Sequence, residues 1–118
     1  MRDFTKYEVW KEAIKIAVDI YKLTKEIPSE EKYGLISQIR RATVSISSNI
    51  AEGCSRSSEK EFSRFIEISL GSLFEVKSQL LLSVELEFIS SKEVEPTLAN
   101  LDTLGKRLNA LRSKLITK

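Results

Sequence analysis

Apolar residues recur at intervals of three and four along almost the whole chain, and no other feature constrains the fold as strongly. The pattern is interrupted at only three places: Ile27-Pro28-Ser29-Glu30-Glu31, Gly53-Cys54-Ser55-Arg56-Ser57-Ser58 and Ser90-Ser91. With 4 glycines and 2 prolines in 118 residues, there is too little turn-forming chemistry for a many-stranded sheet. The pattern predicts an all-α protein with one domain over residues 1–118, an antiparallel up-down-up-down four-helix bundle with short connections. A chain of this size buries roughly two-thirds of its unfolded surface, so a core is attainable without covalent staples.

Helix one is predicted from about Tyr7 to Glu26, opened by a Thr5-x-x-Glu8 capping box. Its charges collapse onto a narrow stripe and leave two apolar faces. One carries Trp10, Ala13, Ile14, Ala17 and Tyr21; the other carries Val9, Ile16, Ile20, Leu23 and Ile27. A single bundle core uses an arc of roughly 100°, so one face is left for a partner. Val9, Ile16, Ile20 and Leu23 are the candidates for that oligomer interface.

Helix two is predicted from about Tyr33 to Glu52, with Leu35, Ile39, Ala42, Ile46 and Ile50 as its core stripe. Beside it lies a polar stripe of Gln38, Arg41, Ser45, Ser48, Asn49 and Glu52. Such a stripe reads as a solvated face, as hydrogen bonding between helices, or as a ligand or nucleic-acid surface. Gly53 is expected in the left-handed conformation that ends a helix. The small residues and Arg56 that follow fit an ordinary turn, or a phosphate held at a helix start.

Helix three is predicted from Glu59 to Glu87 behind a Ser58-x-x-Glu61 capping box. Phe62, Ile66, Ser69, Leu73, Val76 and Leu80 form its seam, which Leu70, Phe74 and Leu81 widen. Ile68, Leu82 and Leu86 fall outside even that arc and join the candidate interface. Gly71-Ser72 in mid-helix costs about 1 kcal/mol in propensity, which points to a neighbouring backbone close by; a bound small molecule is the other reading. Ser90-x-x-Glu93 offers a box for helix four, but Pro96 suggests a regular start only around Glu95. Leu101, Leu104, Leu108, Leu111 and Leu115 then give one apolar face.

Chemistry is bounded by the absence of histidine. That removes Ser-His-Asp and Cys-His nucleophiles, histidine acid–base catalysis and the Glu-x-x-His pairs of di-metal bundles. A lone cysteine, Cys54, excludes an internal disulfide and a cysteine metal cluster. The chain is therefore expected not to be an enzyme and to need no cofactor. The N-terminal run has no apolar stretch, and no segment has the length of a membrane span, so a cytoplasmic protein without membrane contact is expected. Net charge is +2, but Lys106, Arg107, Arg112, Lys114 and Lys118 follow the last acid, Asp102. That basic end either complements the C-terminus of a last helix or reaches for phosphates.

Trp10-Lys11-x-Ala13, Tyr33-Gly34-Leu35, Gln38-Ile39-Arg40-Arg41-Ala42, Asn49-Ile50-Ala51-Glu52-Gly53, Ser55-Arg56, Glu61-Phe62-x-Arg64-Phe65 and Gly71-Ser72-x-x-Glu75 run through most of the sequence. With them the chain resembles the 23S rRNA intervening-sequence proteins. It departs from the usual family pattern at Ser69, at Glu87-Phe88 in place of Gly-Tyr, and at Pro96. The resemblance implies a small bacterial four-helix bundle without an established enzymatic activity, assembled as a homopentamer. A related group, the accessory proteins of diversity-generating retroelements, binds nucleic acid and a reverse transcriptase.

On this resemblance, Gln38, Arg41, Ser45, Asn49, Glu52, Glu61, Arg64 and Glu75 are expected to form a polar network, chiefly between helices two and three. Arg40, Arg56, Lys60, Lys106, Arg107, Arg112 and Lys114 are the candidate contacts to rRNA or another nucleic acid. The expected function is a homo-oligomeric bundle that binds structured RNA. The rival is a scaffold that holds a partner protein and touches no nucleic acid.

Overall fold

Two serines start two of the helices. Ser58 Oγ accepts from the Glu61 amide at 3.1 Å, and Ser90 Oγ accepts from Glu93, whose carboxylate returns to the Ser90 amide at 3.3 Å. Each bond satisfies an amide that has no partner within its own helix. In the computed structural model, which describes residues 2–117, the helices are α1 (Glu8–Thr24), α2 (Leu35–Cys54), α3 (Glu59–Glu85) and α4 (Ser91–Ile116). Single 3₁₀ turns, Phe4–Lys6 and Ser29–Glu31, precede α1 and α2, and no strand occurs among the described residues.

Each helix packs against its two sequence neighbours, with α4 closing on α1, while the diagonal pairs α1/α3 and α2/α4 make no close approach. Short connections between neighbours give the up-down-up-down bundle. Its long dimension of 46 Å is close to the ~40 Å of a 27-residue helix, so α3 spans nearly the whole molecule. The core runs along the axis through Ile20, Ile39, Ile46, Ile50, Phe62, Ile66, Leu73, Leu80, Leu101, Leu104 and Leu108, all at or near zero exposure.

Several local expectations need correction. The Thr5/Glu8 box does not form: Asp3 caps the Phe4–Lys6 turn instead, accepting from the Thr5 amide, and α1 starts at Glu8 behind Tyr7, whose side chain makes no cap bond. Gly53 is helical and not left-handed. A Cβ there would lie 2.8 Å from Phe62 Cδ1 and 2.9 Å from Phe65 Cβ, so glycine is required by the closeness of α3. Helix four begins at Ser91, and Pro96 sits inside it at the cost of one amide donor. Gly71 has no atom within 4 Å of where its Cβ would be, so nothing in the protomer explains it.

The interface assignment on helix one is also corrected. Val9, Ile16 and Ile20 are buried in the protomer's own core, and Leu23 packs against that core. The open face is the opposite one, with Ile14 at 38%, Val18 at 50% and Tyr21 at 37% exposure. Trp10 is half-covered because the Phe4 ring stands edge-on to it at 5.1 Å. The two faces are nearly equal in apolar content, and the angle at which α2 and α4 meet α1 decides between them.

Candidate functional site

The polar stripe of α2 meets α3 along a groove in which Gln38, Arg41, Ser45, Ser72 and Glu75 surround a hollow of about 320 Å³. Ser45 Oγ and Ser72 Oγ share a 2.8 Å hydrogen bond, and Asn49 Nδ2 donates to both the Oγ and the carbonyl of Ser45 at 2.8 Å. Deeper in, Ser69 Oγ donates to the Ile46 carbonyl at 2.8 Å, which accounts for a hydroxyl at a fully buried position.

The expected Arg–carboxylate network does not span the helices. Glu52, near the end of α2, pairs at 3.1 Å with Arg56 just beyond that helix, and Glu75 accepts from Gln79 Nε2 at 3.3 Å one turn along α3. Residues four apart on a helix are already neighbours, so these contacts form at less entropic cost than a reach across the groove. Arg41 and Arg64 are exposed and form no ion pair among the described residues, and the Glu61 side chain lies outside as well. The polar link between α2 and α3 is made by serine hydroxyls.

The candidate nucleic-acid cations do not converge on one patch. Arg107 pairs with Glu12 of α1, and Arg112 bonds Glu67 Oε1 of α3 and Asn109 Oδ1, each at 3.2 Å. Lys77 of α3 pairs with Asp102 of α4. Arg107 and Arg112 of the basic end therefore strap α4 to its neighbours. Lys106 and Lys114 remain exposed, and Lys118 lies outside the described residues. Arg56 is held over the Phe65 ring at 4.6 Å, in a hollow of about 380 Å³ shared with Lys60, Glu61 and Arg64.

At the corner between α2 and α3, polar groups are occupied by the backbone. Ser55 Oγ donates to the Glu52 carbonyl, and Arg2 Nη1 donates to the Arg56 carbonyl at 2.6 Å with its guanidinium over the Phe62 ring. This favours the ordinary-turn reading over a phosphate site. Cys54 is buried, and that burial pushes its thiol above the ordinary range, the opposite of the lowered value that activates a cysteine. No cluster of potential metal ligands occurs among the described residues.

Arg40 behaves differently. Its Nε donates to Thr24 Oγ1 at 3.0 Å and its Nη2 to the Tyr21 carbonyl at 3.3 Å, while the guanidinium lies 4.5 Å from the Tyr21 ring centroid. Arg40 and Tyr21, with Lys32, Tyr33, Ile36, Arg41 and Val44, line a groove of about 590 Å³ between α1 and α2. Tyr33 stands 90% exposed at its mouth. Sequence reasoning placed Tyr21 on a packing face and Tyr33 inside a helix start. The Lys32-Tyr33 pair just before Gly34 was the available signal.

Besides Ile116 at the end of α4, the remaining exposed apolar surface follows α3 and its C-cap: Ile68 at 47%, Phe74 at 64%, Leu81 at 50%, Leu82 at 48% and Leu86 at 48%. Ile68, Leu82 and Leu86 are thus open, as the sequence places them. Phe74 also borders an apolar groove of about 420 Å³ against α4, floored by Leu70, Leu73 and Gly105.

Fold and surface together define an all-α bundle distinguished by its faces, two of them apolar and one basic and aromatic. Residues 5–110 match the family described as 23S rRNA-intervening sequence protein, and the chain belongs to that family. It is similar to a crystal structure of a protein with unknown function from the S23 ribosomal protein family of Bacteroides thetaiotaomicron. The two share 27% sequence identity with a TM-score of 0.81, over 88% of this chain and 97% of the other. No curated protein matches the chain. No helix among the described residues is long and apolar enough to cross a membrane.

Proposed function

We propose that this chain is a non-enzymatic, self-associating helical module that acts in the cytoplasm as a homo-oligomer and carries nucleic acid. The observation that carries self-association is the open face of α3. It exposes Ile68, Phe74, Leu81, Leu82 and Leu86 around Gly71, a mid-helix glycine with empty space where its Cβ would stand. A monomer gains nothing from that glycine; a second helix packed over it does, because backbones approach closely only where side chains are small. The second apolar face, Ile14 and Val18, is on α1, diagonal to α3 in the bundle. Two different faces on opposite sides favour head-to-tail contacts, the kind that close rings, and five copies is the number the family resemblance implies.

The test is sedimentation velocity on the wild type and on Ile68→Glu/Leu82→Glu. The wild type should sediment as an oligomer, and the variant as a monomer with unchanged helical circular dichroism. A wild type that stays monomeric at about 0.1 mM, where even weak self-association is visible, overturns the proposal.

Nucleic-acid binding is supported by Arg41, Lys60, Arg64, Lys106 and Lys114, which are exposed and form no ion pair among the described residues. The rival reading, a protein scaffold, is favoured by the pairing of Arg107 and Arg112 with carboxylates of neighbouring helices. Salt separates them, because phosphate contacts release counterions and weaken steeply as salt rises.

A further inference from the structure

We infer that the groove between the end of α1 and the start of α2 is a binding site for single-stranded nucleic acid, read by stacking on Tyr33 and Arg40. The inference rests on the nucleic-acid part of the proposed function and names its site and strand state. Three cations, Lys32, Arg40 and Arg41, line the groove, and no carboxylate does. The hollows beside α3 include Glu61, Glu75 or Asp102 in their linings, and in the carboxylate-free hollow at the α2–α3 corner Arg56 is paired with Glu52 and Arg2 is bonded to the Arg56 carbonyl. A polyanion is the occupant that the lining of the α1–α2 groove selects.

The aromatic content narrows the class further. Tyr33 projects with 90% of its surface free and packs into no core, its ring met within the protomer by Lys32 at 5.5 Å. Arg40 is held over the Tyr21 ring by its bonds to Thr24 Oγ1 and the Tyr21 carbonyl, so its guanidinium is fixed in place at 4.5 Å from an aromatic centroid. Nucleobases stack on both kinds of surface, tyrosine rings and guanidinium planes. Only unpaired bases can be splayed onto them, because those of a duplex are stacked on each other. Among the described residues neither Arg41 nor Lys32 pairs with a carboxylate, and Lys32 Nζ stands over the Tyr33 ring at 5.5 Å from its centroid, so both cations sit where the phosphates that flank a stacked base would pass.

The experiment is a fluorescence-anisotropy titration of a labelled oligouridylate of about twelve nucleotides, within the usual range of single-strand site sizes. It is run from about 50 to 200 mM salt on the full-length protein, with sedimentation velocity on every variant. Tyr33→Ala should weaken binding about tenfold, as loss of one stacked base does, whereas Tyr33→Phe should stay within about twofold of wild type. Arg41→Gln should flatten the log–log salt slope by about 0.7, the value for one single-strand phosphate contact. An RNA duplex of equal length should bind more weakly. If Lys60→Gln weakens binding and Tyr33→Ala does not, nucleic acid is bound elsewhere and the groove assignment falls. If the wild type binds no oligonucleotide at low salt, the nucleic-acid reading falls with it, whatever the oligomeric state.

Discussion

Glu87 carries the one positive φ among the described non-glycine residues, 63°, immediately beyond α3. There its amide donates to the Val84 carbonyl at 2.9 Å and the next amide, Phe88, to Ser83 at 3.0 Å. This paired closure is the Schellman motif, whose left-handed position is normally glycine. A glutamate there pays a steric penalty of about 1 kcal/mol. Glu87→Gly should therefore stabilise the protein by about that amount, read as a rise in Tm of about 4 °C at fixed protein concentration. Gly53 argues the other way. The Phe62 and Phe65 side chains stand where its Cβ would go, and Phe62 has no exposure through which to retreat. Gly53→Ala should lower stability by about 1–3 kcal/mol in urea unfolding, the usual range for overpacking. The same residue illustrates a limit of sequence reasoning. Glycine at a helix end reads as a cap, but here the demand comes from aromatic rings that follow in the next helix.

At the scale of elements, the four helices and the Ser58 and Ser90 caps were legible because each rests on local periodicity and local hydrogen bonding. Pairing between helices was not. Arg41, Arg64, Glu52 and Glu75 have the right charges for a network, yet each carboxylate finds a partner four residues further along its own stretch of chain. Nor could periodicity tell which face of α1 is core, because Val9/Ile16/Ile20 and Trp10/Ile14/Tyr21 are equally apolar. The wide apolar arc of α3 was legible, and Gly71 gives it a test. In an isolated helix Gly71→Ala should stabilise by about 1 kcal/mol through propensity, with open space to receive the methyl group. If a second copy packs on that glycine, the same methyl group obstructs it. The expected outcome is a protomer more resistant to urea and an oligomer that dissociates at higher protein concentration. Tighter association in the alanine variant would place the interface elsewhere.

Across the whole molecule, charge is arranged so that helices distant in sequence are tied at their surfaces. Glu12–Arg107 joins α1 to α4, while Lys77–Asp102 and Glu67–Arg112 join α3 to α4, so Arg107 and Arg112 of the basic end serve as internal fastenings. One contact reverses the usual sign. Glu26, just past the end of α1, shares a hydrogen bond with Glu93 in the first turn of α4, which raises the Glu26 pKa and lowers that of Glu93. Helix dipoles favour this division: a negative end discourages ionisation of Glu26, and a positive end supports the Glu93 carboxylate. The raised pKa of Glu26 contributes stability that is complete below its unfolded value and is lost as pH rises through the folded one. The lowered pKa of Glu93 contributes stability above its unfolded value, which is lost as pH falls through the folded one. Glutamine at position 26 keeps a hydrogen-bond donor at every pH. Glu26→Gln should therefore raise Tm at about pH 7, where the wild type sets two carboxylates against each other, and change it little at about pH 4, where Glu26 holds its proton. Both groups are exposed, so the difference should shrink with added salt. An equal shift of Tm at both pH values would mean that the two carboxyl groups titrate independently and that α1 and α4 are joined at this end by apolar packing alone.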